Sequence, residues 1–202
     1  DDNVDGDISA NIATSSNVDE SQVGLYQVTY NVTDQANNAA ETVTRSITIQ
    51  DADAPVVTAP SNIVVPAIDS TGTNSADNAI ATFIAASTAM DNVDGILTTI
   101  SNDAPSQFPL GVTTVTFNAV DAAQNSGSAQ ATVTVSDQTK PTIALTGNSS
   151  ITLSYGESYT DQGATADDNV DGDLSANIAT SSNVDESQVG LYQVTYNVTD
   201  QA

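Results

Sequence analysis

Residues 1–36 and 167–202 carry the same sequence. DDNVDGDISANIATSSNVDESQVGLYQVTYNVTDQA at one end recurs at the other with Ile8 replaced by Leu174 as the only change, at a spacing of 166 residues. A near-identical copy of itself is foreign to most enzymes and common in long arrays, where each unit has only to fold and hold its neighbour. A period of this length exceeds the usual solenoid repeat of about 20–50 residues. It fits a pair of ordinary domains repeated as a block.

The residues available suit strands and turns. Val, Thr, Ser, Asn and Asp dominate, there is no Trp, and Phe occurs three times. β-branched residues favour pleated strands, and Asn, Asp and Gly favour the turns between them. The net charge is −24, from 26 acidic residues against Arg45 and Lys140. Such a chain has no basic face for nucleic acid, and it is repelled by anionic membranes. Of the acids, 22 are Asp and the four Glu are Glu20, Glu41, Glu157 and Glu186. Short carboxylates in turns can converge on one hard cation. The alternative is plain turn chemistry, in which Asp caps its own backbone, as expected for scattered residues such as Asp69, Asp77 and Asp103. The chain has neither Cys nor His. Disulfides, thiolate metal sites, and Ser-His-Asp or Cys-His catalysis are therefore excluded. No signal peptide, membrane-spanning run or lipidation motif is read.

Turn signals divide the chain at 1–50, 51–137 and 138–202. In the middle part NIVVPA (62–67), ILTTIS (96–101), VTTVTFNAV (112–120) and SAQATVTVS (128–136) read as strands. In ADNAIATFIAAST (77–89), Ile80, Phe83 and Ile84 recur at helical spacing. In the last part PTIALTG, SITLSYGESYT, LSANIAT and LYQVTYNVT read as strands. NNAAETVTRSITIQ (37–50) supplies the closing hairpin strand that the last part lacks. Residues 1–50 are thus the tail of one module and 138–202 the head of the next. A slice through a continuous array explains this frame. The other explanation is strand exchange between chains, with 138–166 of one pairing with 1–50 of another. Short strands at this spacing indicate an all-β chain of tandem immunoglobulin-like β-sandwich modules.

Two ordered sets of motifs support that reading. APVVTAPSNIVVPA, AMDNVDGIL, FPLGVTTVTFNAVDAAQNSG and ATVTV resemble a hyalin repeat (HYR) domain. PTIALTG, YGESYTDQGATADDNVDGDLS, VGLYQVTYNVTDQANN and ITIQ resemble a bacterial Ig-like domain of unknown function found in large surface and adhesin proteins. The resemblance covers essentially the whole chain and implies an immunoglobulin-like sandwich, tandem arrangement and an extracellular place. One position departs from it. Where these families often have Gly before the Asn of the D-A-A-G-N turn, Asn37 and Gln124 stand here, and Gln tolerates a positive φ poorly. The turn at Gln124 is expected to differ in detail.

DDNVDGD (167–173) begins like an EF-hand loop, but its twelfth position is Ile178, where that loop needs a bidentate Glu. A different calcium geometry follows from the sandwich. DNVDG is placed in the B–C loop, the DAAQN or DQANN turn in the F–G loop, and both at the pole where the acidic linker arrives. This brings Asp51, Asp53, Asp91, Asp94 and Asp121 together in one module. Asp137, Asp168, Asp171, Asp173 and Asp200 meet in the next, and Asp2, Asp5, Asp7 and Asp34 in the partial copy. Carboxylates so gathered repel one another unless a cation joins them. Calcium at inter-module junctions is the expected cofactor.

The function expected is a non-enzymatic structural segment of a long extracellular protein, an adhesin stalk or surface fibre stiffened by calcium. The alternative is a carbohydrate- or protein-binding accessory module of a secreted protein. Partners are neighbouring modules of the same array and other copies of the chain in a filament, without nucleic acid and without direct membrane contact. Paired carboxylates could hydrolyse a glycoside, but a hydrolytic site on every spacer has no purpose. Tyr26, Tyr30, Tyr192 and Tyr196 are expected in a half-buried sheet face rather than on a sugar platform. The sequons at Asn31, Asn148 and Asn197 carry no weight.

Overall fold

The structure, a computed structural model, describes residues 1–201. Alternating stretches become strands wherever a second stretch lies beside them to satisfy their N–H and C=O groups. In the first copy these are β1 (Ala13–Ser16), β2 (Gly24–Asn31) and β3 (Val43–Ile49), an antiparallel sheet in the order β1-β2-β3. β2 and β3 pair over seven positions, from Gly24↔Ile49 to Tyr30↔Val43.

Residues 51–137 hold the principal core. In chain order they form β4 (Val56–Thr58), β5 (Ile63–Pro66), β6 (Thr73–Asn74), α1 (Asn78–Ala85), β7 (Thr88–Asp91), β8 (Gly95–Leu97), β9 (Ser101–Asn102), β10 (Gln107–Phe108), β11 (Gly111–Val120) and β12 (Ser126–Ser136). One sheet is ordered β4-β7-β8 and the other β5-β12-β11-β9. Val57 and Ala89 of the first share a buried cluster with Val65, Val115, Phe117, Val133 and Val135 of the second. Alternation does the sorting: on β12, Ala131, Val133 and Val135 are buried and the residues between them are not. β11 and β12 pair over ten positions. β5 joins β12 in parallel, Ile63↔Val133 to Pro66↔Ser136.

The helix forms where its spacing predicted one. The Asp77 carboxylate accepts from the Ala79 backbone N–H at 2.9 Å, capping the first turn. Ile80 and Phe83 are buried beneath it, and Phe83 meets Phe117 edge to face, 5.8 Å between ring centres. Burying such a side chain is worth about 1.5–3 kcal/mol.

Three expectations are corrected. ILTTIS is not one strand: β8 ends at Leu97 and β9 begins at Ser101, because the chain crosses there from one sheet to the other. DNVDG accordingly turns the β7–β8 hairpin within one sheet rather than linking the two sheets. The turn at Gln124 does not differ from its relative. Gln124 adopts φ 73° and Asn37 φ 66°. Both turns close alike, through Gln124 N–H to Asp121 O and Asn37 N–H to Asp34 O. The strain of a left-handed Gln is accepted because Asn125 and Asp121 fix the turn on either side.

The last part contains β13 (Thr142–Leu145), β14 (Ala164–Asp168) and β15 (Gly172–Asp173) in the order β13-β14-β15, then β16 (Ala179–Ser182) paired with β17 (Val194–Asn197). The predicted strand in SITLSYGESYT does not form, and LYQVTYNVT is strand only over Val194–Asn197. Among the described residues neither run finds a strand on its open side. Ile151, Leu153, Tyr155, Val189 and Leu191 are exposed. Ala166 and Leu174 are the buried apolar residues here.

Candidate metal centre

Each DNVDG turn is folded by its first Asp. Asp91 Oδ1 accepts from the N–H groups of Val93 and Asp94 at 2.8 and 3.0 Å. Asp168 Oδ1 accepts from Val170 and Asp171 at 2.8 and 3.1 Å. Asp2 Oδ1 does the same with Val4 and Asp5 at 2.8 and 2.9 Å. The second Asp reaches the neighbouring turn. Asp94 Oδ2 accepts from Ala122 N–H at 2.7 Å, Asp5 Oδ2 from Gln35 N–H at 2.9 Å, and Asp171 Oδ2 from Gln201 N–H at 2.7 Å. The Asp opening that neighbouring turn is held by an Asn four residues on. Asn125 donates to both oxygens of Asp121, and Asn38 to both of Asp34.

These local bonds have a long-range result. One carboxylate oxygen from each of Asp51, Asp94 and Asp121 lies within 4.8 Å of the others, and the same holds for Asp137, Asp168 and Asp171, and for Asp2, Asp5 and Asp34. Oxygens about one calcium at ~2.3–2.6 Å are separated by distances of this order. Burial sharpens the point. Asp91 and Asp121 are each 3 % exposed and Asp168 is 6 % exposed. Asp51 Oδ2, Asp91 Oδ2, Asp137 Oδ2 and Asp168 Oδ2 are all buried without a hydrogen-bond partner. A buried, unpartnered carboxylate oxygen is costly. The turn hydrogen bonds use one oxygen of Asp91 and of Asp168 and leave the other with nothing to bind. Hard oxygen donors, no His and no Cys suit calcium better than a transition metal.

The charges feel one another. Burial holds the Asp51 carboxyl above its ordinary range; the Asp53 N–H opposes this, and the charges of Asp91, Asp121 and Asp94 add to it. Asp91 moves the other way, lowered by the N–H groups of Asp94 and Val93. One pole thus holds an anion fixed by its turn beside a carboxyl that burial and its neighbours disfavour as an anion.

Five of the residues singled out stand outside these clusters. Asp53 Oδ2 accepts from Asn92 Nδ2 at 2.9 Å and so ties linker to turn. Asp7 and Asp173 cap the N–H groups of Ser9 and Ser175, each at 2.9 Å. Asp200 is half-buried and joins no cluster among the described residues. Asp91 lies outside the triple but contributes the orphaned oxygen and repels Asp51.

Two features escaped the sequence. Asn169 Nδ2 donates to the backbone carbonyls of Ala67 and Ile68, at 3.0 and 3.2 Å. Those residues follow β5, beside the end of β12, so Asn169 ties the exit pole of one module to the first turn of the next. Its recurrence as the second residue of every DNVDG was the available signal. Tyr196 and Tyr159 both donate to Asp161 Oδ1. The Tyr196 hydroxyl is pushed up to about 12, foremost by that bond. Tyr26, Tyr30 and Tyr196 are half-buried on their strands, and Tyr192 is half-buried but lies before β17 outside any strand.

The family model of the Ig-like domain of bacterial surface proteins matches residues 1–49 and 143–202. The HYR domain matches residues 50–135 between them. Hyalin of Strongylocentrotus purpuratus is 35 % identical over 129 residues, which is 61 % of this chain and 10 % of hyalin. The chain spans about a tenth of the length of that relative. No helix is long and apolar enough to cross a membrane among the described residues.

Proposed function

The chain belongs to the family of Ig-like domains of bacterial surface proteins, with a HYR domain set between its two matched parts, and on that premise we propose that it is a structural segment of a long extracellular array, a stalk or fibre whose junctions are locked by calcium. The first junction gathers a linker Asp, the DNVDG hairpin and the DAAQN turn, and the second gathers the linker Asp137 and the two Asp of its DNVDG hairpin. The linker Asp belongs to the chain arriving from the preceding module and the turns belong to the next. An ion shared between them converts a flexible connection into a fixed angle. Asn169 adds a direct tie across the second junction.

The observation that carries this reading is the pair of orphaned carboxylate oxygens at each complete pole, Asp51 with Asp91 and Asp137 with Asp168. The test is a thermal melt of the chain after chelation, with and without added calcium. Sites of ~10⁻⁴–10⁻³ M affinity gain about 1.4–2.7 kcal/mol each at ~10 mM calcium. Asp91→Asn and Asp168→Asn retain the acceptor that folds each turn and remove the charge. The expected result is a calcium-dependent rise in Tm, reversed by chelator, that each variant reduces and the double variant abolishes. No shift at any calcium concentration would leave the Asp residues as turn formers and the chain as a flexible acidic spacer.

A further inference from the structure

The β4-β7-β8 sheet of the middle module turns Val57 and Ala89 into the core. Alternation sends their neighbours to the opposite face. There Val56 pairs with Met90 and Met90 with Ile96, in one row across all three strands. The row is bare: Val56 is 70 % exposed, Met90 62 % and Ile96 78 %. Thr58 and Thr88 pair in the next row, both exposed. These outward residues carry no charge, in a chain whose net charge is −24.

The fold does not require apolar residues at this place. The last part repeats the register with Asp167 between Thr142 and Asp173. That row is polar, and all three residues stay exposed with the middle module ahead of them in the chain. A preceding module therefore does not cover the position there. The other sheet of the middle module makes a second contrast. On its outer face Thr114 pairs with Thr132, Thr116 with Gln130 and Asn118 with Ser128, side chains that water satisfies. An unbroken apolar row, exposed where polar residues serve equally well, marks a contact surface.

The charge of the chain selects the occupant. A basic partner would be drawn to the acidic poles rather than to an uncharged row. A second copy, equally negative, can approach closely only through surface that carries no charge. The same row on that copy is apolar, flat and uncharged, and so matches this one.

We propose that two copies of the chain associate through this face, sheet against sheet, about a two-fold axis that runs along the row. That axis keeps Asp51, Asp94 and Asp121 of one copy at the opposite end from those of the other. It sets Val56 on Val56, Met90 on Met90 and Ile96 on Ile96, with the chains pointing in opposite directions. Removal of these side chains from water drives the contact. Three residues a side make it weak alone, and it adds wherever the module recurs along an array. It needs no calcium at the poles.

The natural chain has no Cys, so single cysteines report the contact. Met90→Cys and Ile96→Cys are compared in the full chain with Val64→Cys, at a position 65 % exposed on the outer face of the other sheet. Each variant is required to melt like the natural chain. A bismaleimide of about 10 Å reach, the spacing of face-packed sheets, is added in the presence of chelator. Met90→Cys and Ile96→Cys are expected to give covalent dimers about tenfold faster than Val64→Cys, because association raises the effective concentration of the thiol pair. Adding Ile96→Asp to Met90→Cys should return the rate to that of Val64→Cys, by setting two carboxylates in the contact. Equal rates at all three positions overturn the proposal, and so does crosslinking that Ile96→Asp leaves unchanged. A fast Met90→Cys with Ile96→Cys no faster than Val64→Cys overturns the axis along the row.

Discussion

In residues 1–49 the run GLYQVTYN is an eight-residue strand, and in residues 167–201 the same eight letters give a four-residue strand. Local sequence cannot cause the difference. The first copy has β3 along its open edge over seven positions, and the second has an empty groove there. Extended backbone persists where its polar groups are paired and relaxes to coil where they face water. The middle module shows the finished case, with a strand on each side of β12 and a core closed beneath it.

The sharpest way to break this comparison is to remove side chains from a closed core and from the open part. Phe117 is fully buried, and Phe117→Ala is expected to destabilise the middle module by about 3–5 kcal/mol. Leu191 is 93 % exposed, and Leu191→Ala is expected to change stability by less than about 0.5 kcal/mol. Chemical denaturation of each variant checks the pair; equal losses would mean that the last part is as well packed as the middle one.

The poles give a smaller effect, with a sign that depends on pH. Asp51 is held above the ordinary carboxyl value of 3.8. In metal-free protein its protonated form is favoured on folding, so its contribution is present below 3.8 and is lost as pH rises through its folded value. Asp51→Asn removes that loss. Without calcium the variant should gain on the natural chain as pH rises from acid to neutral, and with calcium it should fall behind. Calcium binding should release protons near the folded value and weaken on acidification. Melts of both chains across pH, with chelator and with calcium, read the two signs.

The smallest effect separates the two positive-φ turns. Gln124→Gly relieves a left-handed residue and should stabilise by about 0.5–1 kcal/mol, less than the full cost of that conformation because glycine has more freedom to lose. Asn37→Gly should gain less, since Asn accepts this conformation readily. Equal gains would show that the turn, and not the residue in it, sets the strain.

Much of this architecture was legible in the chain and some was not, for physical reasons. Alternation on VTTVTFNAV and SAQATVTVS marked β11 and β12 because each side chain's face is fixed by the one before it. The helix was legible from Ile80, Phe83 and Ile84 at helical spacing. SITLSYGESYT misled: its alternation reads as a strand, but no strand of the described residues pairs with it and Ile151, Leu153 and Tyr155 are exposed. The gathering of Asp51, Asp94 and Asp121 followed from placing turns at one pole. The orphaned oxygen of Asp91 did not, since it depends on which oxygen the turn consumes. Asn169 was marked by its place in every DNVDG, but its partners were not legible: they lie more than one hundred positions earlier, at Ala67 and Ile68.

The parallel pairing of β5 with β12 bears on how such a chain carries load. In a chain pulled from its two ends, tension would arrive upstream of β5 and depart downstream of β12. Because the two strands run the same way, pulling on the ends drags them past each other along their length. The bonds between Ile63–Pro66 and Val133–Ser136 are then strained together in shear rather than peeled one at a time.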